Sequence, residues 1–98
     1  MANRLKTAQL PIETRLHKAA HGDSNACFDL GIFYSTGSGG EVIDLVEAHK
    51  WFNLAAVHGS EEAQMCRAEI AEDMSAREIA EAQRQARAWL SATECRAA

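Results

Sequence analysis

Proline is nearly missing from this 98-residue chain, with Pro11 its single instance. β-branched residues are sparse and alanine is abundant, a balance that disfavours sheet and favours helix. No apolar run approaches the roughly 20 residues that a membrane-spanning helix needs, so no membrane partner is expected. A basic excess is also lacking. The net charge is −4, the pI is near 5.5 and the arginines are interleaved with glutamates. Without a basic stripe, nucleic acid is not an expected partner. Cysteine is limited to Cys27, Cys66 and Cys95. An odd number at wide spacing is neither a disulfide framework nor a CxxC metal pair, so these read as small apolar helix residues kept reduced. The first ten residues carry basic side chains but no apolar core of the secretory kind, and a cytoplasmic location is expected.

What is present is helical patterning. Hydrophobic residues make up 47% of the chain, enough for a folded domain. A single domain is the expectation at this length, burying roughly 60–65% of its unfolded surface around one modest core. Residues 11–94 form that domain, and residues 1–10 are expected to be a flexible N-terminal extension.

Ala48, Trp51, Phe52 and Ala55 fall at i, i+3, i+4 and i+7, which puts them on one face of a helix between Asp44 and His58. Asp44 suits its N-cap and Gly59 the left-handed position after its end. Asp23 or Ser24 caps a preceding helix that runs to about Thr36. Its face carries Ala26, Leu30 and Phe33, with Cys27, Gly31 and Tyr34 beside it. Gly31 in mid-helix costs up to ~1 kcal/mol relative to alanine, which predicts close approach of a neighbouring helix there. The run from Gly37 to Gly40 breaks this helix. Ser60 caps a helix to about Asp73. Ser75 and Glu78 form a capping box for a last helix with Ile79, Ala82, Ala86, Trp89 and Leu90 on one face. Upstream, Pro11 fits the first turn of a short helix ending near His21. The sequence thus predicts an all-α fold of five helices, each antiparallel to the next.

The sequence also repeats itself. Lys18-Ala-Ala-His-Gly22 followed by Ala26 echoes Ala55-Ala-Val-His-Gly59 followed by Ala63, an offset of 37 residues. A period of that size with two helices per unit marks a helical solenoid. The unit from Ala26 to Ala63 resembles a Sel1-like repeat. The resemblance rests on Ala26, Phe28, Leu30, Gly31, Tyr34, Gly37, Gly39, Asp44, Ala48, Trp51, Ala55, Ala56, Gly59 and Ala63, and above all on Lys50-Trp-Phe-Asn-Leu-Ala-Ala56. It continues as a half repeat before Ala26. Met74 to Trp89 is similar to the terminal helix that closes many bacterial arrays of this family. Two departures stand out. The segment from Gly37 to Asp44 is one residue longer than usual and lacks the common proline, and only one complete repeat is present. Solenoids usually need about three repeats for stability, so the terminal helices must act as caps, or a partner or self-association must help. The resemblance implies a short right-handed α-solenoid of antiparallel helix pairs, doing adaptor or regulatory work.

Sharper chemistry finds little support in the residues. His17 and His21 have the i, i+4 spacing of a metal pair, but no third ligand is obvious nearby. His21 and His58 hold equivalent positions just before a glycine, where an imidazolium would favourably face a helix C-terminus. Cys66 precedes Arg67 and Cys27 lies six residues after His21, neither a known nucleophile arrangement. The cysteine-rich relatives associated with β-lactam binding carry regularly spaced cysteine pairs that are absent from this sequence. Glu61 and Glu62 fit a helix N-terminus, and Glu81–Arg84 a solvated i, i+3 pair. Gly37-Ser-Gly-Gly40 follows a helix rather than a strand and lacks the lysine of a phosphate loop. No enzyme activity, metal or cofactor is expected.

Surface remains. The first helix of each pair lines the concave side of such solenoids, where partners dock. The candidate partner-binding residues are therefore Asp29, Phe33 and Thr36 on one helix and Gln64 and Arg67 on the other. Phe33 is either the apolar anchor for a partner or part of the core. The expected function is binding of another protein. The first alternative is a self-assembling homodimer with a structural role, driven by an exposed apolar end face, and the second, further behind, is a small enzyme or metal-binding protein.

Overall fold

The computed structural model describes residues 12–37 and 42–97, with side chains as far as Glu94. The N-terminal extension, Pro11, Gly39, Gly40 and the Cys95 side chain lie outside the described residues. Those residues are all-helical: α1 Ile12–Ala20, α2 Ser24–Thr36, α3 Leu45–Val57, α4 Glu61–Ala71 and α5 Ala76–Ala97. Among them there is no strand, and no helix is long and apolar enough to cross a membrane.

Capping sets most helix boundaries. The Asp23 carboxylate accepts from the Asn25 and Ala26 amides at 2.9 and 3.1 Å, so Asp23 is the cap and Ser24 the first helical residue. Asp44 accepts from the Glu47 amide and Ser60 from the Ala63 amide, both at 3.1 Å. Ser75 and Glu78 close the expected capping box, the serine hydroxyl accepting at 3.1 Å and the glutamate carboxylate at 2.8 Å. One boundary differs. Helix α4 ends at Ala71 rather than near Asp73. The amides of Glu72, Asp73 and Met74 bond three residues back, tightening the chain into a turn. Two carboxylates at the negative end of the helix dipole disfavour further α-turns there.

The turns after α1 and α3 are the same structure. Gly22 has φ +84° and Gly59 has φ +107°, a left-handed region open to glycine. In the first, the Gly22 amide donates to the Ala19 carbonyl and the Asp23 amide to that of Lys18. In the second, Gly59 donates to Ala56 and Ser60 to Ala55. Both are Schellman closures. In both, the residue that closes one helix with its backbone caps the next with its side chain. The ring of His58 lies beside Gly22, 3.6 Å from where a Cβ would stand.

The core collects on α3, which packs against α2, α4 and α5, while α1 packs on α2. Ala48, His49, Trp51, Phe52, Leu54 and Ala55 of α3 are all buried. Gly31 explains how α2 comes so close. A Cβ there would stand 2.5 Å from two Phe52 ring carbons, so the phenyl ring occupies the space a side chain would need. Phe28 packs on the same ring with centroids 5.6 Å apart. Trp51 carries the contact to the last helix, meeting Trp89 edge-on at 4.9 Å, and its indole donates to Glu47 at 3.1 Å. On α2 the buried residues are Ala26, Cys27, Leu30 and Gly31. The expected face through Phe33 is thus rotated toward Cys27 and Gly31, because α3 approaches at the glycine.

Two stability measurements follow. Gly31→Ala should destabilise by about 1–3 kcal/mol through overpacking, despite alanine's better helix propensity. By chemical denaturation that cost should shrink in a Phe52→Leu background, since the ring is what the methyl meets. Gly59→Ala has open space around it. It should lower Tm by roughly 4–8 °C from backbone strain alone, about 1 kcal/mol.

Candidate functional site

The five candidate residues divide into two neighbourhoods. On α2, Asp29 and Phe33 share Arg15 of α1. The Arg15 guanidinium stands 5.4 Å from the Phe33 ring centroid, and Phe33 meets Tyr34 edge-on at 5.0 Å. Phe33 is half-buried and lies outside the buried core cluster and outside the side chains packed directly on it. Asp29 is half-buried as well, and its Oδ2 is shielded from solvent without a hydrogen-bond partner among the described residues. Burial raises the Asp29 carboxyl above its ordinary value, the Arg15 charge pulls it back and the Asp23 charge adds to the rise. Thr36 is exposed at the end of α2, its hydroxyl donating to the Ile32 carbonyl at 2.8 Å.

On α4, Gln64 is exposed and Arg67 is half-buried. Arg67 donates from Nη1 to the Asn53 side-chain oxygen of α3. That bond crosses between helices and holds the guanidinium in place, where a free arginine would sample many rotamers. One turn before Asn53 sits His49, only 3% exposed, with Nδ1 lacking a hydrogen-bond partner among the described residues. Burial lowers its basicity, and the Arg67 charge lowers it further.

Arg15 and His49, both buried, belong to these neighbourhoods and were not anticipated from the sequence. A signal existed for Arg15, which shares the apolar stripe Ile12, Leu16 and Ala19 at helical spacing. His49 gave a weaker one, lying next to Ala48 and three residues before Phe52 in a helix buried on several sides.

The remaining polar features do other things. His17 and His21 have ring centroids 4.7 Å apart, and His21 Nδ1 donates to the His17 carbonyl at 2.9 Å. With Lys18, Gly22 and Asp23 they line an open, shallow cleft of about 460 Å³. Among the described residues no group of three histidine, cysteine or acidic side chains is arranged to hold a metal ion. Glu81 bonds Arg84 at 2.7 and 2.9 Å and Gln85 at 2.7 Å. Those bonds hold its carboxyl down at about 2. Cys27 is completely buried, and burial with the nearby Asp23 charge pushes its thiol up to about 12. Burial raises the Cys66 thiol too, helped by Glu62 and Glu69. Thiols held protonated at neutral pH are poor nucleophiles.

Comparison of the chain with family models, with curated proteins and with solved structures gives no match.

Cys27 provides a check on this electrostatic picture. Iodoacetamide at pH 8, followed by peptide mass mapping, should leave Cys27 unmodified in the native protein. Unfolding should restore ordinary reactivity, a rate increase of at least ~1000-fold from the thiolate fraction alone.

Proposed function

We propose that the chain is a non-catalytic protein–protein interaction module, an adaptor or regulatory scaffold of the Sel1-like kind. In this reading the helices form a short right-handed α-solenoid whose antiparallel pair α2 and α3 is extended by α4 and closed by α5, both packed on α3. The face formed by α2 and α4 receives an extended peptide or a helix of a partner protein. The observation that carries the reading is the repetition of one turn. The Schellman closures at Gly22 and Gly59, each feeding directly into the cap of the next helix, fall 37 residues apart, in register with the sequence repeat. Two helical units built on the same joint are what a solenoid requires.

The surface chemistry suits this role. Phe33 offers a half-buried ring beside a cation, Thr36 and Gln64 offer exposed hydrogen-bonding groups, and Arg67 is braced by Asn53. A braced aromatic and a braced arginine are the side chains that carry most binding energy when an interface closes over them. No cofactor or metal enters the reading.

A second reading, self-association, is favoured by the strongly exposed Val42 and Met65, 85% and 72% accessible, together with the single complete repeat. Light scattering separates the two. A monomer mass that stays constant with concentration removes the homodimer.

The interaction reading is tested by retention. Proteins held by the immobilised chain are identified by mass spectrometry and compared with those held by a Phe33→Ala, Arg67→Glu variant of unchanged helicity. The wild type should retain a small set that the variant loses, with at least ~100-fold weaker binding, as expected for losing two central contacts. Full retention by the folded variant sinks the docking face.

A further inference from the structure

The α3–α4 contact contains an unusual pairing. A histidine buried to 3% exposure stands one helical turn from the side chain that anchors an arginine of the next helix. The neutral imidazole tolerates this place, because a bare ring nitrogen can face apolar neighbours at modest cost. Its protonated form cannot. Protonation puts an N–H on Nδ1, where no acceptor is present among the described residues, and a second positive charge within reach of Arg67.

Among the described residues no anion is placed to absorb that charge. On α3 itself Glu47 pairs with Lys50 at 3.1 Å. On α2 the charges acting on Asp29 are those of Arg15 and Asp23. On α4 Glu62 and Glu69 act on Cys66, and on α5 Glu81 is taken by Arg84 and Gln85. Arg67 is the charge that acts on His49.

We infer that the α3–α4 junction is a proton-operated latch: neutral His49 lets α4 dock through the Asn53–Arg67 bond, and protonation of His49 releases α4 while α2 stays packed on α3. The asymmetry follows from the packing. Helix α2 is held by Gly31, Phe28 and Phe52, which do not titrate, whereas α4 buries one residue fully, Ala63, and relies on Arg67 for its polar link. The functional consequence rests on the interaction-module reading. Gln64 and Arg67 ride on α4, so release dismantles half of the proposed docking face as pH falls. The latch itself is a property of the isolated chain.

The sign is set by linkage. The docked state disfavours the imidazolium, so docking is at full strength above the ordinary histidine value. It weakens as pH falls through about 6.5 and levels off only below the lowered docked value. Within that window the opening constant of α4 rises by up to about tenfold per pH unit.

Amide hydrogen exchange on the full chain between pH 7.5 and 5, corrected for intrinsic rates, tests this without any partner. Amides of Glu61–Ala71 should keep their protection down to about pH 6.5 and then lose it by up to about tenfold per unit, while those of Ser24–Thr36 do not. His49→Phe should abolish the difference, and Arg67→Gln should raise the His49 imidazole titration followed by NMR in an otherwise folded protein. Uniform loss of protection across all helices, equal behaviour of the His49→Phe protein, or a His49 imidazole that titrates no lower than an ordinary histidine would each overturn the latch. Loss of partner retention at pH 5 with intact α4 protection would instead count against the latch while leaving the interaction reading standing.

Discussion

The close seating of Phe52 against Gly31 is the contact on which the rest of the structure depends. It draws α2 and α3 together until a methyl group would not fit between them, and it commits one face of α3 to that partner. The opposite commitments follow. Trp51, the next residue along, is turned toward Trp89 and the last helix, and Leu54 and Ala55 are left to complete the interior. A 13-residue helix cannot bury six side chains against one neighbour, so α3 gathers three. The molecule is organised around this helix, and its stability is concentrated there.

Placing so much burial on one helix leaves little for the others. Helix α4 has one fully buried residue and its interhelix hydrogen bond is made by a half-buried arginine. Helix α1 seats a buried arginine on its inner stripe. These are the positions where polar groups enter the interior, and they coincide with the surface proposed for partner docking. Such coincidence has a physical basis. Side chains that are braced but incompletely satisfied, such as Asp29 with its shielded Oδ2, have unused hydrogen-bonding capacity that the apolar core does not.

Much of the architecture was legible from residues. Asp44, Ser60 and the Ser75–Glu78 box could be read as caps because their bonds reach only three positions along the chain. Gly59 could be read as a helix end and Gly31 as a close approach, because glycine in those settings has a cost that only special geometry removes. Less legible were the extent of α4 and the orientation of α2. The end of α4 depended on a balance between further α-turns and the tighter turn that Glu72 and Asp73 adopt. The placement of Phe33 depended on which side α3 approached, and helical spacing is satisfied equally by a stripe through Phe33 or one through Gly31.

The sequence by itself determined the helices, their caps and the repeated joint at Gly22 and Gly59, since these are local interactions between residues near in the chain. Only the tertiary structure decided that Phe33 lies outside the core, that Arg15 lies over it, and that His49 is buried near a braced Arg67. Those facts depend on the rotation and spacing of whole helices, which are set by packing side chains of distant residues against one another. No periodicity along a single helix records them.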